Sequence, residues 1–117
     1  MDTVGIFSIA SRQAEHLSVR QSAIASNIAN ANVPSFKASE TASFAETLAN
    51  AAATLKATDS RHFGLEGSDP QTQVYSTERA VALEDELVKS SEVRSHMDLN
   101  TGIVSAFHRM LLLTVKT

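Results

Sequence analysis

Apolar residues recur in alternating steps of three and four along the N-terminal segment. Phe7, Ala10, Ala14, Leu17, Gln21, Ile24, Ile28 and Ala31 make up one such row, and only Gln21 in it is polar. That alternation marks a coiled-coil seam and predicts a helix over residues 3–31. Asp2 or Thr3 can cap its start, and Arg12, Glu15, Ser22 and Ser26 fall on the opposite face. The pattern stops at Val33-Pro34. Proline lacks the N–H a helix needs and pushes the residue before it out of the helical region. Three asparagines, Asn27, Asn30 and Asn32, crowd this exit. Each is a mediocre helix former whose side chain can bond freed backbone groups, so polar capping is the simplest reading of any one alone.

The next segment predicts a short, weak helix over about 43–57. Ser43 and Glu46 have capping-box spacing, and Phe44, Leu48, Ala51 and Leu55 make a narrow, alanine-diluted stripe. From Thr58 to Thr77 no period holds, and Gly64, Gly67 and Pro70 cluster with Asp, Ser and Thr. A loop of about 20 residues is longer than compact domains usually carry. It is expected to be functional, or flexible until bound, within a loop region spanning 32–80.

Residues 81–115 predict a second long helix. Glu84, Asp85 and Glu86 sit in its first turns and Arg109 and Lys116 near its end, as the helix dipole favours. Its apolar residues form two stripes. One holds Val93, Met97, Val104, Phe107, Leu111 and Val115, flanked by Leu83, Leu87 and Leu112. The other holds Val88, Leu99, Ile103, Ala106, Met110 and Leu113. A two-helix hairpin uses one apolar face per helix, so the second stripe needs another partner.

The fold class expected is therefore all-α: a single domain of two long terminal helices paired as a coiled-coil-like hairpin, with a short middle helix and a long, partly disordered loop. Composition sharpens this. The chain has 117 residues and is 43% hydrophobic but only 5% aromatic, without tryptophan. Alanine buries little area, so partner surfaces are expected to complete a marginal core. A formal charge of −3 and scattered Lys and Arg argue against nucleic acid as a partner. With no cysteine there is neither a disulfide nor a thiol nucleophile. The N-terminus lacks the basic-then-apolar order of a secretory signal. No apolar run approaches the roughly 18–20 residues needed to span a bilayer.

Candidate chemistry is thin. His16, His62, His96 and His108 are the titratable candidates, and His96 and His108 do not share a helix face. Glu92 and His96 have the i, i+4 spacing of two metal ligands, but a third ligand is not evident and a solvated pair is the simpler reading. There is no nucleophile elbow and no glycine-rich phosphate loop. Neither a catalytic residue, a cofactor, a metal nor a small-molecule substrate is expected.

The run "IASNIANANVPSFKA", Ile24 to Ala38, resembles the N-terminal signature of the flagellar rod, hook and hook-associated axial proteins, a helix ending in a "SNIANANTPGYK"-like sequence. Asn27, Ile28, Ala29, Asn30, Ala31, Asn32, Pro34 and Lys37 match it. Phe36 stands where tyrosine is usual, Ser35 where glycine is common, and Val33 where threonine is usual. The chain is most similar to the short proximal-rod proteins of the basal body. It has no room for an inserted β-domain, "TDSRHFG" (Thr58–Gly64) resembles their "TDPRH"-like loop, and the C-terminal helix shares an acidic start and a mid-helix Thr-Gly.

The resemblance implies a structural subunit of the rod, which carries torque from motor to hook. It further implies helical assembly with itself and other rod proteins, export by the flagellar type III apparatus without a cleaved signal, and a place in the periplasmic part of the basal body. Open helical assembly needs two different patches on each subunit, which two stripes on one helix could supply. The assembly seam is expected to set Phe7, Leu17, Ile24 and Ile28 against Met97, Val104 and Leu111. The motif residues Asn27, Asn30, Asn32, Pro34 and Phe36 are expected to form the junction between helix and loop. The rival reading is a small secreted helical-hairpin effector or adaptor that binds a partner through its C-terminal helix.

Overall fold

The computed structural model describes residues 3–55 and 71–116. The Thr58–Gly64 motif with His62, and the last two residues expected in the middle helix, lie outside the described residues. In chain order the elements are α1 (Thr3–Ala29), β1 (Lys37–Thr41), α2 (Phe44–Leu55), β2 (Val74–Ala80) and α3 (Leu83–Val115).

α1 and α3 run antiparallel. Asn27 meets Glu86, Gln21 meets Ser90, Arg20 meets Glu92, and the Asn100 side chain reaches the Ala10 carbonyl. Residue numbers fall along α1 as they rise along α3. Between the helices lies the core: Leu17, Ile24 and Val93, each no more than 3% exposed, with Ile28 and Met97 packed on them. Among the described residues the other buried apolar ones are the alanines Ala10, Ala23, Ala38 and Ala51. A core of three large side chains is small, and the molecule's shape explains it. Its extents are 60 × 43 × 16 Å, which is a plate one helix layer thick with little interior.

The architecture is mostly helical, but it is not purely so. β1 and β2 pair antiparallel, with Ser39 opposite Ser76, Glu40 opposite Tyr75 and Thr41 opposite Val74. Both strands fall in the 32–80 stretch read from sequence as loop and helix. The register slips between Lys37 and Ser39. At the slip the Thr77 hydroxyl donates to the Ala38 carbonyl at 2.7 Å and accepts from the Arg79 N–H at 3.3 Å, so a side chain supplies bonds the ladder omits. β1, with the sequence KASET, has no apolar–polar alternation to reveal it.

The helix ends also moved. α1 stops at Ala29, where Asn30 and Ala31 are already in a turn, and α3 starts at Leu83. α2 opens with a closed capping box: the Ser43 N–H donates to Glu46 at 3.1 Å and the Glu46 N–H to the Ser43 hydroxyl at 3.2 Å.

α3 is largely uncovered. Val88, Leu99, Ile103, Ala106, Met110 and Leu113, the second stripe, are all exposed. Of the first stripe, Val93 is buried, Met97, Val104, Phe107 and Leu111 are half-buried, and Val115 is exposed. Beyond Phe44 the cleft between α1 and α3 continues as an apolar groove of about 400 Å³ lined by Ile6, Ile9, Leu99 and Ile103.

Candidate functional site

The asparagine-rich helix exit is where the elements meet. Asn27 sits in the last turn of α1, on the side facing β1, and is completely buried. Its amide nitrogen donates to the Ser39 carbonyl at 2.8 Å, and its carbonyl oxygen accepts the Ser39 N–H, also at 2.8 Å. These are the two bonds a neighbouring strand would make, so one side chain stands in for a third strand along β1. The same amide nitrogen donates to Glu86 of α3 at 3.1 Å. Asn27 therefore ties α1, β1 and α3 together at one point.

The other two asparagines do different work. The Asn30 side chain donates to the Ser26 carbonyl at 2.8 Å and its backbone N–H to the same carbonyl at 3.1 Å, closing the last turn of α1. Its own carbonyl accepts the Val33 N–H at 3.0 Å, which starts the turn. Asn32 is exposed. Pro34 is exposed too, in a turn closed by the Phe36 N–H to the Val33 carbonyl at 3.1 Å, and Phe36 is half-buried. Capping thus accounts for Asn30 but not for Asn27.

Around Asn27 the charges balance. Glu86 is 2% exposed and held by Asn27 and by the Lys89 ammonium at 3.2 Å. Lys89 also reaches Glu40 of β1 at 3.3 Å, and Glu40 is met by Arg79 of β2 at 2.6 Å and by the Tyr75 hydroxyl at 3.4 Å. Two carboxylates and two cations from three elements close a network. Burial works to raise the Glu40 carboxyl, but the Lys89 hydrogen bond and charge, the Arg79 charge and the Tyr75 hydroxyl outweigh it and hold it below 4.5. Burial likewise works against the charged Lys89, and its bonds to Glu86 and Glu40 outweigh that, holding it above 10.5.

The expected seam residues are divided by position. Leu17, Ile24, Ile28 and Met97 meet in the α1–α3 core. Phe7, Val104 and Leu111 are half-buried toward the other end of the pair. From sequence, Val93 falls in an apolar stripe and Glu86 among the acidic first turns, neither at the junction, and Glu40, Lys89 and Ser39 are not singled out. For Glu86 a signal existed: it lies seven residues before Val93, on the same face of α3, while its acidic neighbours do not. For Ser39 none did, because its backbone makes the contact.

Among the described residues the histidines form no centre. His16 is buried, its Nε2 2.8 Å from the Ala42 carbonyl and its ring 5.6 Å from that of Phe44. His96 and His108 are exposed, and Glu92 is bonded to Arg20 at 3.3 Å. Among the described residues no group of three or more His, Asp or Glu could hold a metal ion. Every charged group of the junction has a partner within it. The arrangement holds elements together and offers no reactive atom.

A family profile described as "Flagella basal body rod protein" matches residues 10–37, the span from mid-α1 through the asparagine-rich exit to the first residue of β1. The chain is also 36% identical, over 129 aligned positions, to the flagellar basal body rod protein FlgB of Agrobacterium fabrum (strain C58 / ATCC 33970). That alignment covers 99% of this chain and 96% of the relative. No solved structure matches it.

Proposed function

This chain belongs to the flagellar basal-body rod protein family, and from that premise we propose that it is a proximal-rod subunit. In this reading it polymerises through its terminal helices and transmits torque from motor to hook. Membership of the family makes it a structural protein, not an enzyme, a component of the basal-body rod that assembles with other flagellar rod proteins. The proximal position is supported by near-full-length identity to a relative that carries the FlgB name. Export by the type III apparatus without a cleaved signal, and a periplasmic location, follow as part of the same proposal.

The observation that carries polymerisation is the unfinished packing of α3. A plate one layer thick leaves Val88, Leu99, Ile103, Met110 and Leu113 between 42% and 68% exposed along one helix. Soluble monomers rarely leave so many large apolar side chains exposed along one helix. A neighbouring subunit's helix laid in the groove past Phe44 would cover Ile9, Leu99 and Ile103. Asn27 and its network fix the angle at which β1 and α3 leave α1, which sets the shape every subunit presents. The test is deletion of the gene with imaging of basal bodies. Absence of the rod, restored by the intact gene, is the expected result. Complete rods in the deletion strain would overturn the reading.

A further inference from the structure

The face of α3 opposite Val93 points away from α1, and it is patterned by charge and size. At 100° per residue, Glu84 and Val88 lie on it at the start, Ser91, Ser95, Asp98, Gly102 and Ala106 in the middle, and Arg109, Leu113 and Lys116 at the end. All ten are exposed. Glu84 and Lys116 make no ion pair among the described residues. One end is acidic through Glu84, the other basic through Arg109 and Lys116, and the middle is small except for Asp98.

Gly102 is the residue the monomer does not explain. Glycine weakens a helix interior relative to alanine. A Cβ added at Gly102 would meet nothing within 4 Å. Among the described residues no contact needs the missing side chain, whereas a second helix laid close against it would.

We propose that this face docks a second copy of the chain, with the two α3 helices antiparallel and crossing beside Gly102. A two-fold axis at the level of Asn100 sets Glu84 against Lys116 of the other copy at both ends. It brings Val88 onto Leu112 and Leu113, and lets the backbones approach where the side chains are small. Charge complementarity selects this occupant: each end of the face is the chemical complement of the other end. Parallel, in-register pairing would set like charges together. Asp98, beside Gly102, is brought near its own symmetry mate and opposes the contact. A strip about 45 Å long and one helix, about 10 Å, wide covers less than the ~800 Å² per partner of a standard interface. The dimer is therefore weak and reversible. It lies outside the Ile9–Ile103 groove, but it takes Val88 and Leu113 out of solvent, two residues the rod reading gives to neighbouring subunits, so the dimer has to part before a rod is built.

The test is sedimentation of the intact chain over a range of concentrations. The apparent mass should rise from 12.5 kDa toward twice that value. Gly102→Leu and Glu84→Lys should each raise the dissociation constant about tenfold or more, with helicity by circular dichroism unchanged. Adding Lys116→Glu to Glu84→Lys should restore dimerisation. The chain has no cysteine, so oxidised Gly102→Cys should give a disulfide-linked dimer while Ser11→Cys, exposed on α1, does not. A chain monomeric at every concentration overturns the proposal. So does a dimer that is indifferent to Gly102→Leu, or one that the double charge exchange fails to restore.

Discussion

Asn27 shows how far a single residue's surroundings can depart from its sequence neighbourhood. Asn27, Asn30 and Asn32 look interchangeable in the chain, yet one is completely buried, one closes a helix turn and one faces solvent. Truncating Asn27 strands the N–H and carbonyl of Ser39 and removes a donor from buried Glu86. An unsatisfied buried polar group costs roughly 1–3 kcal/mol, so Asn27→Ala should lower unfolding stability by about 3 kcal/mol in urea titrations. Asn32→Ala should change it by less than about 0.5 kcal/mol. The sequence marks the asparagines as a cluster but cannot rank them. Asn27's main partner is a backbone twelve residues on, and backbones leave no signature in residue type.

The same network sets a pH profile. Glu40 is held below 4.5, so its share of stability is present above that pH and lost as pH falls through the lowered value. Lys89 is held above 10.5, so its share is present below that pH and lost as pH rises through the raised value. Between those limits this pair contributes no pH dependence. Urea midpoints measured against pH should show an acid limb that shrinks in Glu40→Gln and an alkaline limb that shrinks in Lys89→Met.

Among the elements, the long helices were legible and the sheet was not. The three-and-four rows of α1 and α3 point to Leu17, Ile24, Ile28 and Met97, and those side chains meet in the core. Periodicity works there because each helix buries one stripe against the other. β1 buries only Ala38 and is specified by what it pairs with: β2 on one edge and the Asn27 side chain on the other. A strand of that kind carries no period of its own. Because the core holds so few large side chains, each matters. Leu17→Ala or Val93→Ala should cost about 2–4 kcal/mol, read as a drop in melting temperature, whereas Val115→Ala, 82% exposed, should leave it nearly unchanged.

On the scale of the whole molecule, the plate shape and the bare second stripe are one fact seen twice. A single layer of two long helices cannot cover all the apolar surface that α3 carries. The sequence announced that surplus as a stripe without a partner, and the structure leaves it in solvent. What covers it in the rod is the central claim, and the groove lined by Ile9 and Ile103 tests it with little risk to the fold, since those side chains are 51% and 42% exposed. The measurement is cryo-electron tomography of basal bodies in a deletion strain carrying Ile9→Asp with Ile103→Asp, alongside the melting temperature of the purified variant. The account predicts an unchanged melting temperature, no rod and no swimming. Complete rods in motile cells would contradict it.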